Sequence, residues 1–368
     1  MENREQEKLA RAAFLSLKNV GSRHLSRLIN CFGSARAAWE APQIEYLHLS
    51  EKSPWFAGVG EERNTVDLLK LGRLLSDLGI QTTSPQEQDY PVLLGELADA
   101  PPLLFYRGKL RGKAEMLAVV GSRQATAYGK AAASFLSKAA AAEGIVVVSG
   151  LARGIDAAAH RGALEGDGIT WAFLACGLDR VYPAEHQRLA EEILLQGALL
   201  SEYAPGMPPI ARNFPARNRL ISGCARGVLV VEAAERSGAL ITADFALEQG
   251  REVFAVPGPI FSKQSRGTHN LLRQGAKVSE SIEDIVQEIP AWYPENRTNF
   301  RHAGKNLPDH EELGPVLEQL SDVPLHFDQL VARADLSPSK LSLVLWELLL
   351  AGKILQLPGQ HYVLSRKN

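Results

Sequence analysis

The feature that most constrains the fold of this sequence is a set of six short runs rich in β-branched and other apolar residues. These runs alternate with helical patterns. Nearly continuous apolar strands are typical of a parallel sheet that helices cover on both faces. The alternation therefore predicts one doubly wound α/β domain. The predicted strands are residues 117–122, 145–150, 170–177, 198–203, 227–233 and 252–258. The predicted helices are at about residues 128–142, 153–165, 185–195, 216–225, 239–249 and 267–274.

The segment before this domain has helical patterns at about residues 4–17, 23–31 and 61–78. A tight turn at residues 19–22 separates the first two of these patterns. Two helices joined by a glycine turn can dock backbone amides on a DNA phosphate. Such hairpins usually have two glycines, and here only Gly21 is present. DNA contact and plain helical packing both remain open for this segment.

The segment after the α/β domain begins with a polar, proline-containing stretch without periodicity, which predicts a linker. Three helical patterns and two short strand-like runs follow it, and together they have the outline of a winged helix. The predicted domains are a helical domain at 1–80, the α/β domain at 81–289, the linker at 290–308 and the winged helix at 309–368.

The composition predicts a soluble cytoplasmic protein without membrane contact. No apolar run reaches the roughly 20 residues that cross a bilayer, and the charged N-terminus has no apolar signal segment. Cys31, Cys176 and Cys224 form no CxxC pair, so neither a disulfide nor a metal site is predicted. We expect all three cysteines to be buried.

Glycine, serine and arginine collect where the predicted strands end. Ligands of an open parallel sheet bind beyond the carboxyl ends of its strands, so these residues are expected at one edge. Glycine lets the backbone approach a phosphate, and arginine can bind it bidentately, although a glycine there can also simply turn the chain. The candidate phosphate-binding residues are Gly121, Ser122, Arg123, Ser149, Gly150, Arg153, Gly154, Ser237 and Gly238.

The common nucleotide-binding fingerprints are missing from these strand ends. Seven residues separate Gly121 from Gly129, where a P-loop has four between its glycines, and no Ser or Thr follows Lys130. The first strand also lacks the GxGxxG turn of dinucleotide-binding proteins. The sequence therefore disfavours ATP hydrolysis of the P-loop type and NAD binding, and no cofactor is predicted.

A segment free of acidic residues, from Tyr203 to Val231, contains four arginines. Cations that follow a backbone, interleaved with an aromatic ring that stacks on a base, are what single-stranded nucleic acid requires. The alternative is that Phe214 belongs to the core and that the arginines are solvated or cap a helix. The candidate residues in this segment are Arg212, Phe214, Arg217, Asn218 and Arg219.

Catalytic groups give a weaker signal. Asp156 and His160 would share a helix face and could form a hydrogen bond, which is more typical of a structural pair than of a catalytic one. Glu202, at a strand end, could bind a ribose hydroxyl or a neighbouring arginine. The spacing of the candidates shows no Ser-His-Asp or His-Glu pattern. They are Asp156, His160, His186, Glu202, Asp244 and Glu248.

Motifs across roughly residues 90–278 resemble those of the DNA processing protein A (DprA/Smf) family, in the same order. The motifs are VVGSR, SGLARGIDAAAH, ACGLDRVYPAEH, SEYAPG, NFPARNRLISG, VVEAAERSGALITADFALEQGREVFAVPG and GTHNLLRQGA. The resemblance implies an extended Rossmann-like fold with a mostly parallel sheet and dimerisation through it. It also implies a single-stranded DNA-binding protein of natural transformation, without catalytic activity, that protects incoming DNA and loads RecA recombinase onto it.

The resemblance also assigns residues. The family's phosphate-binding arginine falls on Arg123 and its base-stacking aromatic on Phe214, with Arg212, Arg217 and Arg219 as the basic positions. The winged helix departs from the expectation for DNA binding, because residues 309–368 have five Lys or Arg against eight Asp or Glu. We therefore predict that it docks a protein.

Two alternatives to DNA binding remain at this stage. In the first, the protein is an enzyme that acts on a nucleotide monophosphate. Residues 237–242 occupy the place of the PGGxGT loop of cytokinin-activating phosphoribohydrolases, but they lack its paired glycines and the following catalytic glutamate. In the second, the protein is a scaffold that holds RecA without any DNA preference of its own.

Overall fold

The structure, a computed structural model, describes residues 2–51, 53–293, 313–321, 324–334, 336–350, 353–357 and 360–364. The chain divides into two compact units, Met1–Phe300 and Arg301–Asn368, and each has an apolar core. Within the described ranges, no helix combines the length and apolar character needed to cross a membrane.

The first unit begins with a group of helices. Asp67 accepts hydrogen bonds from the amides of Leu69 at 2.9 Å and Lys70 at 3.1 Å, and so starts a new helix inside the stretch predicted as one helix at 61–78. That prediction was wrong, and the helices between residues 35 and 62 were not predicted. The observed helices are α1 (Glu2–Ser16), α2 (Ser22–Phe32), α3 (Ala35–Glu40), α4 (Gln43–Ser50), α5 (Trp55–Glu62) and α6 (Leu68–Asp77).

A large mixed sheet follows, with nine strands among the described residues, in the order β1-β2-β6-β5-β4-β3-β7-β8-β9. The β1–β2 and β2–β6 pairs are antiparallel, and all other neighbours are parallel. The strands are β1 (Gln81–Thr83), β2 (Leu104–Gly108), β3 (Met116–Val120), β4 (Val146–Ser149), β5 (Thr170–Leu174), β6 (Ala198–Ser201), β7 (Gly227–Val230), β8 (Glu252–Ala255) and β9 (Lys277–Val278).

Helices cover both faces of this sheet, which confirms the predicted doubly wound, mostly parallel fold. Apolar residues of α8 and α9 form a core against one face, and those of α11 and α12 form a core against the other. The helices are α7 (Val92–Gly95), α8 (Ala127–Ala142), α9 (Ile155–Glu165), α10 (Gln187–Gln196), α11 (Asn213–Cys224), α12 (Gly238–Glu248), α13 (Arg266–Arg273) and α14 (Ile282–Val286).

The strand order reverses at β3. From β3 the chain builds β4, β5 and β6 on one side, and it then returns to place β7, β8 and β9 on the other. In an open α/β sheet, the crevice at such a switch point is the usual ligand site. Here the switch point lies at the carboxyl ends of β3 and β7.

The N-terminal helices pack directly on the sheet. Phe14 and Tyr46 belong to the same core as Phe105 on β2, Leu174 on β5 and Ile193 on α10. The boundary at residue 80 stays a prediction. The predicted linker at 290–308 lies outside the described residues beyond Tyr293, and the buried Trp292 donates its indole N–H to Glu115 at 2.8 Å.

The second unit has the predicted winged-helix outline. A small antiparallel sheet, ordered β10-β12-β11, joins three helices in the described ranges. The strand at residues 325–326 was not predicted. The elements are α15 (Leu313–Glu318), β10 (Leu325–His326), α16 (Phe327–Ala334), α17 (Pro338–Leu350), β11 (Ile354–Leu357) and β12 (His361–Leu364).

The cysteines follow the prediction in two of three cases. Cys176 and Cys224 are buried, but Cys31 is exposed, because α2 directs Leu25 and Leu28 toward the core and Cys31 away from it. In the described part of the chain, no group of three or more His, Cys, Asp or Glu residues is placed to hold a metal ion.

Candidate nucleic-acid interface

An open groove of about 720 Å³ lies at the switch point of the sheet. The loop after β3 forms one side, and the first turns of α11 and α12 form another. The predicted site residues that line it are Gly121, Ser122, Arg123, Phe214, Arg217, Asn218, Ser237 and Gly238. The predicted residues outside its lining are Ser149, Gly150, Arg153, Gly154, Arg212 and Arg219.

Backbone hydrogen bonds to two other segments of the chain fix the loop after β3. The amide of Ser122 donates to the carbonyl of Glu232 at 2.7 Å, and the carbonyl of Ser122 accepts from the amide of Ile155 at 3.2 Å. Gly154 has φ +79°, and a Cβ there would lie 2.2 Å from the Ser122 carbonyl oxygen. Gly154 therefore supports the loop that carries Arg123, although it does not line the groove itself.

Arg123, Phe214 and Tyr182 form a cluster in the lining of the groove. The guanidinium carbon of Arg123 lies 4.9 Å from the centroid of the Phe214 ring, in a cation–π contact. The ring centroid of Tyr182 lies 5.6 Å from that of Phe214, at an interplanar angle of 62°. Phe214 is half-buried and Arg123 is exposed. Phe214 thus faces the groove together with a cation.

Arg217 lies beneath the groove and is only 3% exposed. Its guanidinium donates to the carbonyls of Phe173 and Gly150, the second at 2.7 Å. A Cβ on Gly150 would lie 2.5 Å from this guanidinium, which explains the glycine. Burial lowers the pKa of Arg217 to about 10, although the nearby Asp156 carboxylate acts in the opposite direction. Arg217 is therefore a charged residue fixed by internal partners.

The loop after β4 uses its polar groups internally. The buried carboxylate of Asp156 accepts from the amides of Gly150 at 3.2 Å and Ala152 at 3.3 Å. The hydroxyl of Ser149 donates to the carbonyl of Val119 at 2.6 Å. Burial raises the pKa of Asp156, and the charge of Arg217 partly offsets this. A carboxyl group of the protein itself thus occupies the amides that were predicted to meet a phosphate.

The N-terminus of α8 is occupied in the same way. The carboxylate of Glu232, which is 2% exposed, accepts from the amide of Thr126 at 2.9 Å and from its hydroxyl at 2.6 Å. A Cβ on Gly129 would lie 2.3 Å from this carboxylate. A dinucleotide-binding fold holds a pyrophosphate at the helix that follows its first strand. Here a carboxylate fills that position.

Two further predicted arginines have acidic partners. Arg219 forms an ion pair with the buried Glu202 and lies 3.4 Å from Asp99. The partner of Glu202 is therefore an arginine, one of the two alternatives left open by the sequence. On the surface, Arg153 donates two hydrogen bonds to Glu185, at 2.8 and 2.7 Å.

Arg212 is exposed and precedes α11, outside the groove lining. Asn218 on α11 donates to the carbonyl of Gly238 at 3.2 Å and so links α11 to α12. Residues 237–242, considered above as a possible enzyme loop, form the N-cap and first turn of α12. The Ser237 hydroxyl there accepts from the amide of Ala239 at 3.3 Å.

The Asp156–His160 pair is not a hydrogen-bonded pair. The Nδ1 atom of His160 lies 2.7 Å from the hydroxyl of Thr170, which itself donates to the carbonyl of Val147. The protonated Nδ1 of His160 therefore donates a hydrogen bond to the hydroxyl oxygen of Thr170. Sequence reasoning missed Tyr182 and Gln124 among the groove residues. The motif that contains Tyr182 carried a usable signal, an aromatic residue in a polar loop after a strand.

Comparisons with known proteins agree with this architecture. Residues 81–290 match the family of DNA recombination-mediator protein A, and residues 303–360 match the DprA winged helix domain. Protein Smf of Escherichia coli is 42% identical, with 75% of each chain aligned. Protein Smf of Synechocystis is 33% identical over 95% of this chain and 97% of its own.

Two solved structures are similar to this chain. DprA of Streptococcus pneumoniae is 35% identical, with a TM-score of 0.59, over 74% of this chain and 99% of its own. DNA processing protein A of Helicobacter pylori, whose structure concerns its single-stranded DNA binding mode, is 30% identical, with a TM-score of 0.52, over 57% of this chain and 94% of its own. Together with the extent of the sequence matches, these similarities show that the chain belongs to the DprA/Smf family of DNA-processing proteins.

Proposed function

We propose that this protein binds single-stranded DNA in the groove at the switch point, with Arg123 on the phosphate backbone and Phe214 against a base. The observation that carries the proposal is the contact between these two side chains in the lining of the groove. An exposed cation and an aromatic ring side by side provide the two terms of sequence-tolerant binding, phosphate attraction and base stacking.

Two internal carboxyl groups support a polymer as the ligand. Glu232 and Asp156 occupy the amides at two of the strand ends, where a small nucleotide would place its phosphates. Arg123, Asn218 and the start of α12 remain along the groove. The groove is open to solvent, which suits a ligand larger than a mononucleotide. We propose a binding role and no catalytic one.

We further propose, from family membership, a cytoplasmic role in natural transformation, in which the bound DNA is protected and RecA recombinase is loaded onto it. We also propose homodimerisation through the Rossmann-like unit. Support for the dimer comes from strand β9, at the edge of the described sheet, where Val278 is 54% exposed, and from the loop after β8, where Phe261 is 95% exposed. Exposed apolar side chains beside an open strand edge are typical of protein interfaces.

The test is a salt titration of the full-length chain with single- and double-stranded oligonucleotides of the same sequence. The variants are Arg123→Ala, Phe214→Ala and Arg188→Ala. Arg188 is a charge-matched control, because it is exposed on α10 and lies outside the groove. The readout is the dissociation constant as a function of salt concentration.

We expect tighter binding of the single strand than of the duplex. Arg123→Ala weakens binding to all sequences and reduces the salt slope by about one ion. Phe214→Ala costs about 1–3 kcal/mol of binding free energy without changing that slope. Equal affinities of wild type and both groove variants would refute the proposal. If base release from AMP accompanied such a result, the phosphoribohydrolase alternative would take its place.

A further inference from the structure

Tyr182 lies in the groove without an assigned role. It follows β5 in the loop before α10, lines the groove, and is 46% exposed. A large aromatic side chain that is half in solvent contributes little to the core, and here it stands next to Phe214. Aromatic rings at this level of exposure in a DNA-binding groove are suited to stacking on bases.

The geometry of the two rings determines how they can be used. Their centroids are 5.6 Å apart and their planes are inclined by 62°. One flat base cannot stack on both rings, because stacking needs nearly parallel planes. Two bases can do so, provided that they are turned relative to each other by about the angle between the rings.

We propose that Tyr182 is a second base-stacking residue, so that the groove receives two successive bases of the strand, one on each ring. This inference rests on the proposed function and specifies its ligand more closely. Successive bases of a duplex are nearly parallel and paired, so they cannot turn onto inclined rings. Tyr182 and Phe214 together then select a strand whose bases are free to unstack.

Tyr182 also contacts the Phe214 ring, so the experiment has to separate stacking on a base from support of Phe214. Tyr182→Leu keeps an apolar side chain against Phe214 and removes the aromatic face. Tyr182→Phe keeps the face and removes the hydroxyl. Tyr128→Leu is the control for loss of an exposed tyrosine outside the groove lining, because Tyr128 on α8 has a similar exposure, 47%. Its hydroxyl donates to the carbonyl of Pro257 at 2.8 Å, so Tyr128→Phe accompanies it.

The experiment measures the affinity of the full-length variants for a labelled oligothymidylate and for copies with one base removed at each position in turn. Tyr182→Leu is expected to weaken binding about tenfold at an unchanged salt slope, and Tyr182→Phe to recover most of that loss. At one position, base removal is expected to weaken the wild type but not Tyr182→Leu. At an adjacent position, it is expected to weaken both proteins and to spare Phe214→Ala.

The inference is overturned if Tyr182→Leu binds like Tyr128→Leu. It is also overturned if base removal weakens Tyr182→Leu at every position that matters for the wild type. Either result, combined with a loss of affinity in Phe214→Ala, leaves the proposed function standing and removes only the second stacking residue. A wild type that does not bind the oligonucleotide refutes the proposed function and this inference with it.

Discussion

Arg123 and Arg153 follow neighbouring strands, yet their guanidinium groups have different partners. Arg123 lies against the Phe214 ring, which leaves its hydrogen-bonding edge available to a phosphate. Arg153 donates both of its bonds to the Glu185 carboxylate. The Arg153–Glu185 pair is exposed on both sides, and pairs of this kind contribute little to stability. The pair is therefore expected to affect DNA binding more than stability, because Glu185 occupies the guanidinium that could bind a phosphate.

We predict that Glu185→Gln increases the affinity for single-stranded DNA severalfold. The substitution removes a negative charge and frees Arg153, so the salt slope should steepen by up to about one ion. Glu192→Gln is the control, since Glu192 forms a comparable surface pair with Arg188 on α10. The measurement is a salt titration of both variants. Identical titrations would show that the DNA path does not pass Arg153.

At this scale the sequence identified the right residue types but not their partners. Arg217 and Arg219 belong to the same acid-free segment as Phe214, and nothing in the local pattern distinguishes them from a solvated arginine. Their environments are created by groups far along the chain, such as the Phe173 carbonyl for Arg217 and Glu202 for Arg219. Burial of this kind depends on tertiary packing, which a single sequence does not display.

At the scale of the elements, the loop after β3 depends on the start of α9. Gly154 adopts φ +79° where its Cβ would meet the Ser122 carbonyl. We predict that Gly154→Ala costs about 1–3 kcal/mol of stability through backbone strain, and that it weakens DNA binding by moving Arg123. Denaturant midpoints and dissociation constants measure the two effects.

The control for this substitution is Gly58→Ala, because a Cβ at Gly58 has no neighbour within 4 Å and its helix accepts alanine. This control should keep its stability and its DNA affinity. A Gly154→Ala protein that behaves in the same way would mean that the loop can relax around the added methyl group.

His160 on α9 makes the stability of the first unit depend on pH. Burial, together with smaller electrostatic contributions from His186, Arg217 and Arg161, lowers its pKa to about 3. Below the ordinary value of 6.5, the unfolded chain binds a proton at this site and the folded chain does not. Stability is therefore lost as the pH falls from about 6.5 toward 3.

We predict a loss of up to about 1.4 kcal/mol per pH unit in that range from this side chain alone. Comparison with His160→Asn isolates the contribution, because the other titrating groups are common to both proteins. The measurement is urea unfolding of both proteins between pH 7.5 and 4.5, with about one denaturation curve for every half pH unit. Parallel pH profiles for the two proteins would contradict the assignment.

The elements themselves were predictable where their pattern is long and regular. The strands β3 to β8 begin within one residue of the predicted apolar runs and end one to three residues before them. The runs were recognisable because both faces of these strands are covered, so most of their positions are apolar. The outer strands β1 and β9 span three and two residues and are largely polar or exposed, so no periodicity can develop in them. Their pairing is a property of the assembled sheet.

At the scale of the whole molecule, the two units differ in their suitability for DNA. Residues 309–368 have five basic and eight acidic residues, a net charge of −3, and Lys340 is the one basic residue in the sequence of α17. We predict that a chain ending at residue 308 keeps its affinity for single-stranded DNA within about twofold, since few phosphate contacts are lost.

Filter binding of the shortened and the full-length chains measures this directly. A gel shift with the isolated residues 309–368 complements it, and no shift is expected. Tight DNA binding by that segment would refute a protein-docking role for the winged helix. The winged-helix outline was predictable from its three helical patterns and hairpin, whereas the shared core of the N-terminal helices and the sheet was not, because contacts between distant segments leave no local pattern.

The carboxyl groups of Glu232 and Asp156 affect which ligands can bind the groove in a solution that contains many free nucleotides. On this type of sheet, vacant helix starts collect free mononucleotides. Here Glu232 accepts a hydrogen bond from the free amide at the start of α8, and Asp156 accepts hydrogen bonds from amides of the loop that precedes α9. We therefore expect ATP and related nucleotides to compete poorly for the groove, whereas a polymer with many phosphates and bases does not depend on these amides. Side chains that take the place of a nucleotide phosphate would thus keep the groove available for a DNA strand.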